Sequence, residues 1–151
     1  MSTTLPARPA TEASPRFRPG PRRVVPALWL FAMLCYLYCD VLGLYRAEDL
    51  AALLTGEIGG VRMTDGFLLG AAVLMTIPIT ALLLALVAPH PVARWTSVGA
   101  GVVMTLVQAS TLTFGTAPTS AYLWFSALEI TTTATITWYA VARWRRDADL
   151  A

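Results

Sequence analysis

The chain has no lysine, a single histidine, two cysteines and few charges of either sign. Each shortage removes a class of explanation. Charged residues are 13% of the chain and hydrophobic ones 56%, and the mean hydropathy of +0.61 lies well outside the usual range for soluble domains. His90, Cys35 and Cys39 are too few to build a zinc site, which needs further thiolate or imidazole ligands. The cysteines are four apart, not C-x-x-C, and read as small apolar filler without an activated thiolate. No phosphate-binding glycine loop, hydrolase serine elbow or H-E-x-x-H pair is present, so nothing marks an enzyme and no cofactor is expected. The arginines sit where membrane topology needs them, which argues against a nucleic-acid face. An all-arginine base set with abundant alanine points to a GC-rich bacterial genome.

What the chain does have is four long apolar runs, at 24–45, 64–88, 94–115 and 120–142. Each is near the roughly 20 residues that span a hydrocarbon core. Pro89-His90-Pro91 reads as a tight turn with a solvated histidine, and Gly115-Thr116-Ala117-Pro118-Thr119 as a second short link. Links this short force antiparallel neighbours. The expectation is an all-α fold: a four-transmembrane-helix antiparallel up-down bundle over 24–145, flanked by a disordered cytoplasmic tail at 1–23 and a short tail at 146–151. The longer link from Arg46 to Arg62 holds Ala47–Leu54, with Leu50, Leu53 and Leu54 on one side and Glu48 and Asp49 on the other. It reads as a short interfacial helix in the first outer loop, stopped at Gly56.

Arginine placement orients the bundle. Arg8, Arg16, Arg18, Arg22, Arg23, Arg94, Arg143, Arg145 and Arg146 fall on one side, and only Arg46 and Arg62 on the other, beside Glu48, Asp49, Glu57 and Asp65. The positive-inside rule then places both termini in the cytoplasm of a multi-pass protein of the bacterial inner membrane, with the lipid bilayer as its first partner. Trp29, Tyr45, Trp95, Tyr122, Trp124, Trp138 and Trp144 lie mainly toward run ends and read as interfacial anchors. Gly66 with Gly70, and Ser97 with Gly101, have the small-x-x-x-small spacing that lets helices approach closely.

Two carboxylates, Asp40 and Glu129, lie inside the runs. An acid at bilayer depth costs at least about 2.5–3.5 kcal/mol on insertion scales, so it faces the bundle interior and marks a candidate site. Tyr36 and Asp40, with Gly43, share a face of the first helix. Thr105, Gln108 and Thr111 do so in the third, and Ser126, Glu129, Thr133 and Thr137 in the fourth. Thr76 and Thr80 form a weaker stripe in the second. Asp40, Gln108 and Glu129 fall within one or two turns of the same level, in the outer half. They are expected to converge, with Tyr36 and Thr133 as further ligand- or proton-binding candidates. No Lys or Arg inside a span neutralises the acids, so a shared proton or hydrogen bonds would have to hold them.

Leu34-Cys35-Tyr36-Leu37-Tyr38-Cys39-Asp40-Val41, Ile77-Pro78-Ile79, Arg94-Trp95, and Glu129 with Trp138 occur in that order. Together they resemble a family of small bacterial four-helix membrane proteins catalogued as a domain of unknown function, over about residues 25–144. The layout is more distantly similar to DoxX-type proteins. The resemblance implies the four-helix fold and no assigned activity. Its pattern has an asparagine near position 35 and an acid near position 76, where this chain has Cys35 and Thr76.

Three functions stand open at this point. The first is a membrane protein of unassigned activity whose polar cluster latches helices or holds a small ligand. The second is a proton-coupled transporter acting as a homo-oligomer, because four helices enclose little space. The third is a redox or quinone-linked membrane enzyme, resting on Cys35, Cys39 and the DoxX-like layout.

Overall fold

The computed structural model describes residues 20–58, 60–113 and 118–145. Both expected tails therefore lie largely outside the described residues, as does most of the second link. Four long helices, α1 (Pro21–Leu44), α3 (Asp65–Val87), α4 (His90–Thr111) and α5 (Ser120–Ala142), carry the fold. Between the first two come α2 (Ala47–Leu54) and a hairpin of β1 (Glu57–Ile58) and β2 (Val61–Arg62). α1 packs on α3 and α5, and α4 packs on the same two, which closes the four into a ring.

Local sequence explains the boundaries. Pro21 opens α1 inside the stretch expected to be a tail, because a proline in the first turn loses no helical hydrogen bond. The same logic corrects the Pro89-His90-Pro91 turn. Pro89 is the N-cap, α4 begins at His90, and Pro91 sits in its first turn. Thr64 and Thr119 cap α3 and α5, accepting from the backbone N–H of Phe67 (3.2 Å) and Tyr122 (3.1 Å). Glu48 and Asp49 fall in the first turn of α2, where the helix dipole favours acids. Gly56, with φ +78°, ends that helix and leads into β1. The hairpin pairs Glu57 with Arg62 and Ile58 with Val61; the Gly-Gly pair at 59–60 of the sequence is a hairpin signal that the sequence expectation passed over.

The interior is built from small residues. Ala32, Ala81, Ala85, Ala93, Ala100 and Ala140 are buried, with Trp29, Met104, Ile136 and Trp144 filling the space among them. Small interior residues bring backbones close, and large apolar ones are left outside. Leu30, Leu37, Leu69, Val73, Leu106 and Trp124 are all more than half exposed or nearly so. Gly101 shows how tight one contact is. A methyl group there would collide with the Thr137 side chain and stand 3.1 Å from the Thr133 carbonyl oxygen.

Several expectations are corrected here. Trp29 and Trp144 are fully buried and not interfacial: Trp29 Nε1 donates to Ser97 Oγ at 3.4 Å, and the His90 ring meets Trp144 edge-on. His90 is consequently not a solvated turn residue; its Nε2 donates to the Trp144 carbonyl at 3.2 Å. Gly66 and Gly70 face outward and approach no other helix. Thr76 and Thr80 are also exposed, and Thr76 returns its hydroxyl to the Ala72 carbonyl at 2.8 Å. α1 and α3 are long and apolar enough to cross a membrane. α4 and α5 are of similar length and, with their serines, threonines, Gln108 and Glu129, do not reach that apolarity.

Candidate functional site: an acid-lined cavity above a buried carboxyl

At the end of the bundle that carries α2 and the hairpin, the helices part around a cavity of about 810 Å³. Its wall draws on α1, α2, the hairpin and the first turn of α3, together with the facing ends of α4 and α5. That volume is within the range of small-molecule sites, about 300–1,000 Å³. Asp40 is exposed to this space, and Cys39 beside it also lines the wall. Asp40 lies four residues before the end of α1, so its carboxylate sits near the mouth of the bundle and not in its closed interior.

The polar groups around the cavity are mostly engaged. Arg46 bridges the two acids of α2, from Nη1 to Asp49 Oδ2 at 3.1 Å and from Nη2 to Glu48 Oε2 at 3.2 Å. Tyr122 donates its hydroxyl to Thr111 Oγ1 at 2.8 Å, and Thr111 passes its own to the Gln108 carbonyl at 2.8 Å. Among the described residues, none gives Asp40 a hydrogen bond or an ion pair. Phe67, Tyr122 and Phe125 contribute aromatic surface.

Beneath the cavity the polar stripes of α4 and α5 meet. Gln108 Nε2 donates to Ser126 Oγ at 2.9 Å. The hydroxyls of Thr105 and Thr133 lie 2.8 Å apart, one donating to the other, whose own proton goes back to its helix, to the carbonyl of Gly101 or of Glu129. Glu129 is 1% exposed, and neither carboxyl oxygen has a partner. Tyr36 on α1 is 7% exposed and its hydroxyl is equally unpartnered.

The five sequence-predicted residues thus separate into three environments. Gln108 and Thr133 are paired between α4 and α5. Glu129 and Tyr36 are buried without partners. Asp40 faces the cavity. Among the described residues no hydrogen bond joins any two of Asp40, Gln108 and Glu129, and α1 packs directly on α5. The residues that sequence reasoning missed are those of the rim. Phe67 and Phe125 carry no chemical signature, and only the three-dimensional position of the loop brings Arg46 and Asp49 to the cavity.

Among the described residues no group of three or more His, Cys, Asp or Glu side chains is placed to hold a metal ion. What the arrangement offers is an acceptor, Asp40, in a largely apolar space, with a second carboxyl behind it.

No curated protein and no solved structure matches the chain. A family model does, over residues 17–151, and that match brings no DoxX relationship with it. The protein belongs to that family, a family of unknown function (DUF6326).

Proposed function

We propose that this is a multi-pass protein of the bacterial inner membrane in which α1, α3, α4 and α5 all cross the bilayer, with both chain ends cytoplasmic, and that its outer cavity binds a small molecule. The observation that carries the binding reading is Glu129. Two buried carboxyl oxygens without partners, one helical turn beyond the cavity-lining Phe125, are a large expense for a merely structural acid. Such groups are kept where a ligand, a proton or a cation meets them.

The four-span reading draws on the inverted distribution of side chains. Ser97, Gln108, Ser126, Glu129, Thr132 and Thr133 are turned inward, while Val102, Leu106, Leu123, Trp124 and Trp138 are exposed. In water this outer surface would be an aggregation hazard; in lipid it is the expected one. The segregation of arginines supports the orientation.

Native mass spectrometry of the protein released from lipid nanodiscs tests the binding reading. The wild type is expected to retain a small-molecule adduct that Asp40→Asn loses, with the fold unchanged by circular dichroism. An adduct-free wild type that also shows no saturable binding of small molecules would end it.

The stacking of two acids, Asp40 in the cavity and Glu129 below it, favours a second reading, proton-coupled transport by an oligomer. In proteoliposomes Asp40→Asn and Glu129→Gln would each abolish transport without unfolding the protein. Transport at the wild-type level in both variants would sink this reading.

A further inference from the structure

We propose that the molecule bound in the outer cavity is a monovalent organic cation with an apolar body, such as an amine or a quaternary ammonium or phosphonium compound. This rests on reading the cavity as a binding site and goes on to name the class of its occupant.

The charges along the wall are the starting point. Asp40, Arg46 and Asp49 are the ionisable acids and bases lining the cavity, a net charge of one negative when all are ionised. Arg46 is held in two ion pairs, to Asp49 and to Glu48, so its charge is already balanced by two carboxylates. That leaves the Asp40 carboxylate as the one lining charge, among the described residues, with no opposite charge beside it. Among the described residues, an anion entering here would meet the uncompensated Asp40 charge and a single cation, Arg46, whose charge two carboxylates already balance.

Hydrogen-bond donors point the same way. The Tyr122 hydroxyl proton goes to Thr111, and that of Thr111 to the Gln108 carbonyl. Thr119 Oγ1 accepts from the Tyr122 backbone N–H, which leaves its own hydroxyl proton as a neutral donor on the wall. A carboxylate or a sulfonate would meet that neutral donor beside the uncompensated Asp40 charge, which repels it. A ligand with a positive centre satisfies Asp40 directly.

The rest of the wall sets the body of the ligand. Leu42, Ile58, Val61, Phe67, Tyr122 and Phe125 surround the acid with apolar and aromatic surface. Aromatic rings favour cations over neutral molecules of the same shape. A small inorganic cation would keep its water and gain nothing from this wall; an organic cation sheds little water and gains contact with it. The approximately 810 Å³ available suits a molecule of several rings or a branched alkyl ammonium.

The test uses the full chain in nanodiscs of zwitterionic lipid, with empty nanodiscs subtracted. Three probes of related shape are compared: tetraphenylphosphonium, neutral triphenylphosphine oxide, and the anion tetraphenylborate. Tetraphenylphosphonium is expected to bind saturably and at least tenfold more tightly than the neutral probe, with no saturable binding of the borate. Asp40→Asn should weaken the cation at least tenfold and leave the neutral probe within twofold. Ala121→Trp, which fills the cavity, should remove binding of both.

Equal affinity for all three probes, or cation binding unchanged in Asp40→Asn, overturns the assignment of the class while leaving the cavity a binding site. Binding unaffected by Ala121→Trp, or no saturable binding of any probe, overturns the cavity reading as well. Thermal melting of each variant shows that the chain is folded when binding is measured.

Discussion

Gln108 donates to Ser126 Oγ at 2.9 Å, a buried bond between α4 and α5, three residues before Glu129 on α5. Glu129 is left buried with both oxygens unpartnered. The polar interior of the bundle therefore has a satisfied part between α4 and α5 and an unsatisfied part facing α1. These two parts should respond to mutation in opposite ways.

Glu129→Leu removes two unpartnered buried oxygens and replaces them with apolar volume. Deleting such a group is neutral or stabilising, with a gain of about 1–3 kcal/mol if the acid had no compensation. The variant is expected to melt in detergent at the wild-type temperature or above it. Gln108→Leu leaves Ser126 without its donor and should melt lower, by about 1 kcal/mol of stability. A marked fall for Glu129→Leu would identify the acid as a structural latch.

Gly101→Ala should be the most damaging single methyl in the bundle. The new group meets the Thr137 side chain and the Thr133 carbonyl, both held in the tightly packed α4–α5 contact. Overpacking of this kind costs about 1–3 kcal/mol. Adding Thr137→Ala removes the first collision but not the second. The double variant is expected to recover part of the loss, as read by thermal melting of the single and double variants.

Arg94 ties the start of α4 to the end of α5. Its Nε donates to the Ala140 carbonyl at 2.9 Å and Nη2 to Val141 at 3.3 Å, while the guanidinium lies 5.0 Å from the Trp95 ring centroid. Carbonyls at a helix C-terminus carry the negative end of its dipole, so a cation there is doubly favoured. Arg94→Ala is expected to cost about 1–2 kcal/mol. Arg94→Lys should recover only part of this, because a single ammonium cannot span both carbonyls in the same geometry. Urea titration of the three proteins in detergent measures the difference.

The four-span reading makes a labelling prediction. In a Cys35→Ala, Cys39→Ala background, single cysteines replace Glu48, Thr113 or Arg143. An impermeant maleimide added to intact cells whose outer membrane has been removed should modify the cysteines at 48 and 113 and spare the one at 143. Protection at 113 would show that α4 and α5 do not cross.

The sequence carried the helical periodicities, and those needed no tertiary information. Four apolar runs of bilayer length and the two-sided pattern of Ala47–Leu54 correspond to helices in the structure, though α4 starts at His90 because a first-turn proline opens a helix as readily as it ends one. The inward faces of α4 and α5 were legible for the same reason. Gln108, Ser126, Glu129 and Thr133 recur at helical spacing against apolar neighbours, and all four are buried.

Rotation about each helix axis was decided only by packing. Periodicity shows that Tyr36 and Asp40 are neighbours on α1, but not that Tyr36 enters the core while Asp40 opens onto a cavity. Trp29 and Trp144 look like interfacial anchors by their distance from the helix ends, yet they fill the space left by interior alanines. Gly66 and Gly70 have the spacing of a helix contact and touch none, since α3 turns Pro78, Ala81 and Ala85 inward instead. Hydrogen-bond partners are decided later still, by distances of tenths of an ångström between helices far apart in sequence. That is why two acids in apolar runs could be found from the residues alone, while which is exposed and which is unpartnered came only from the fold.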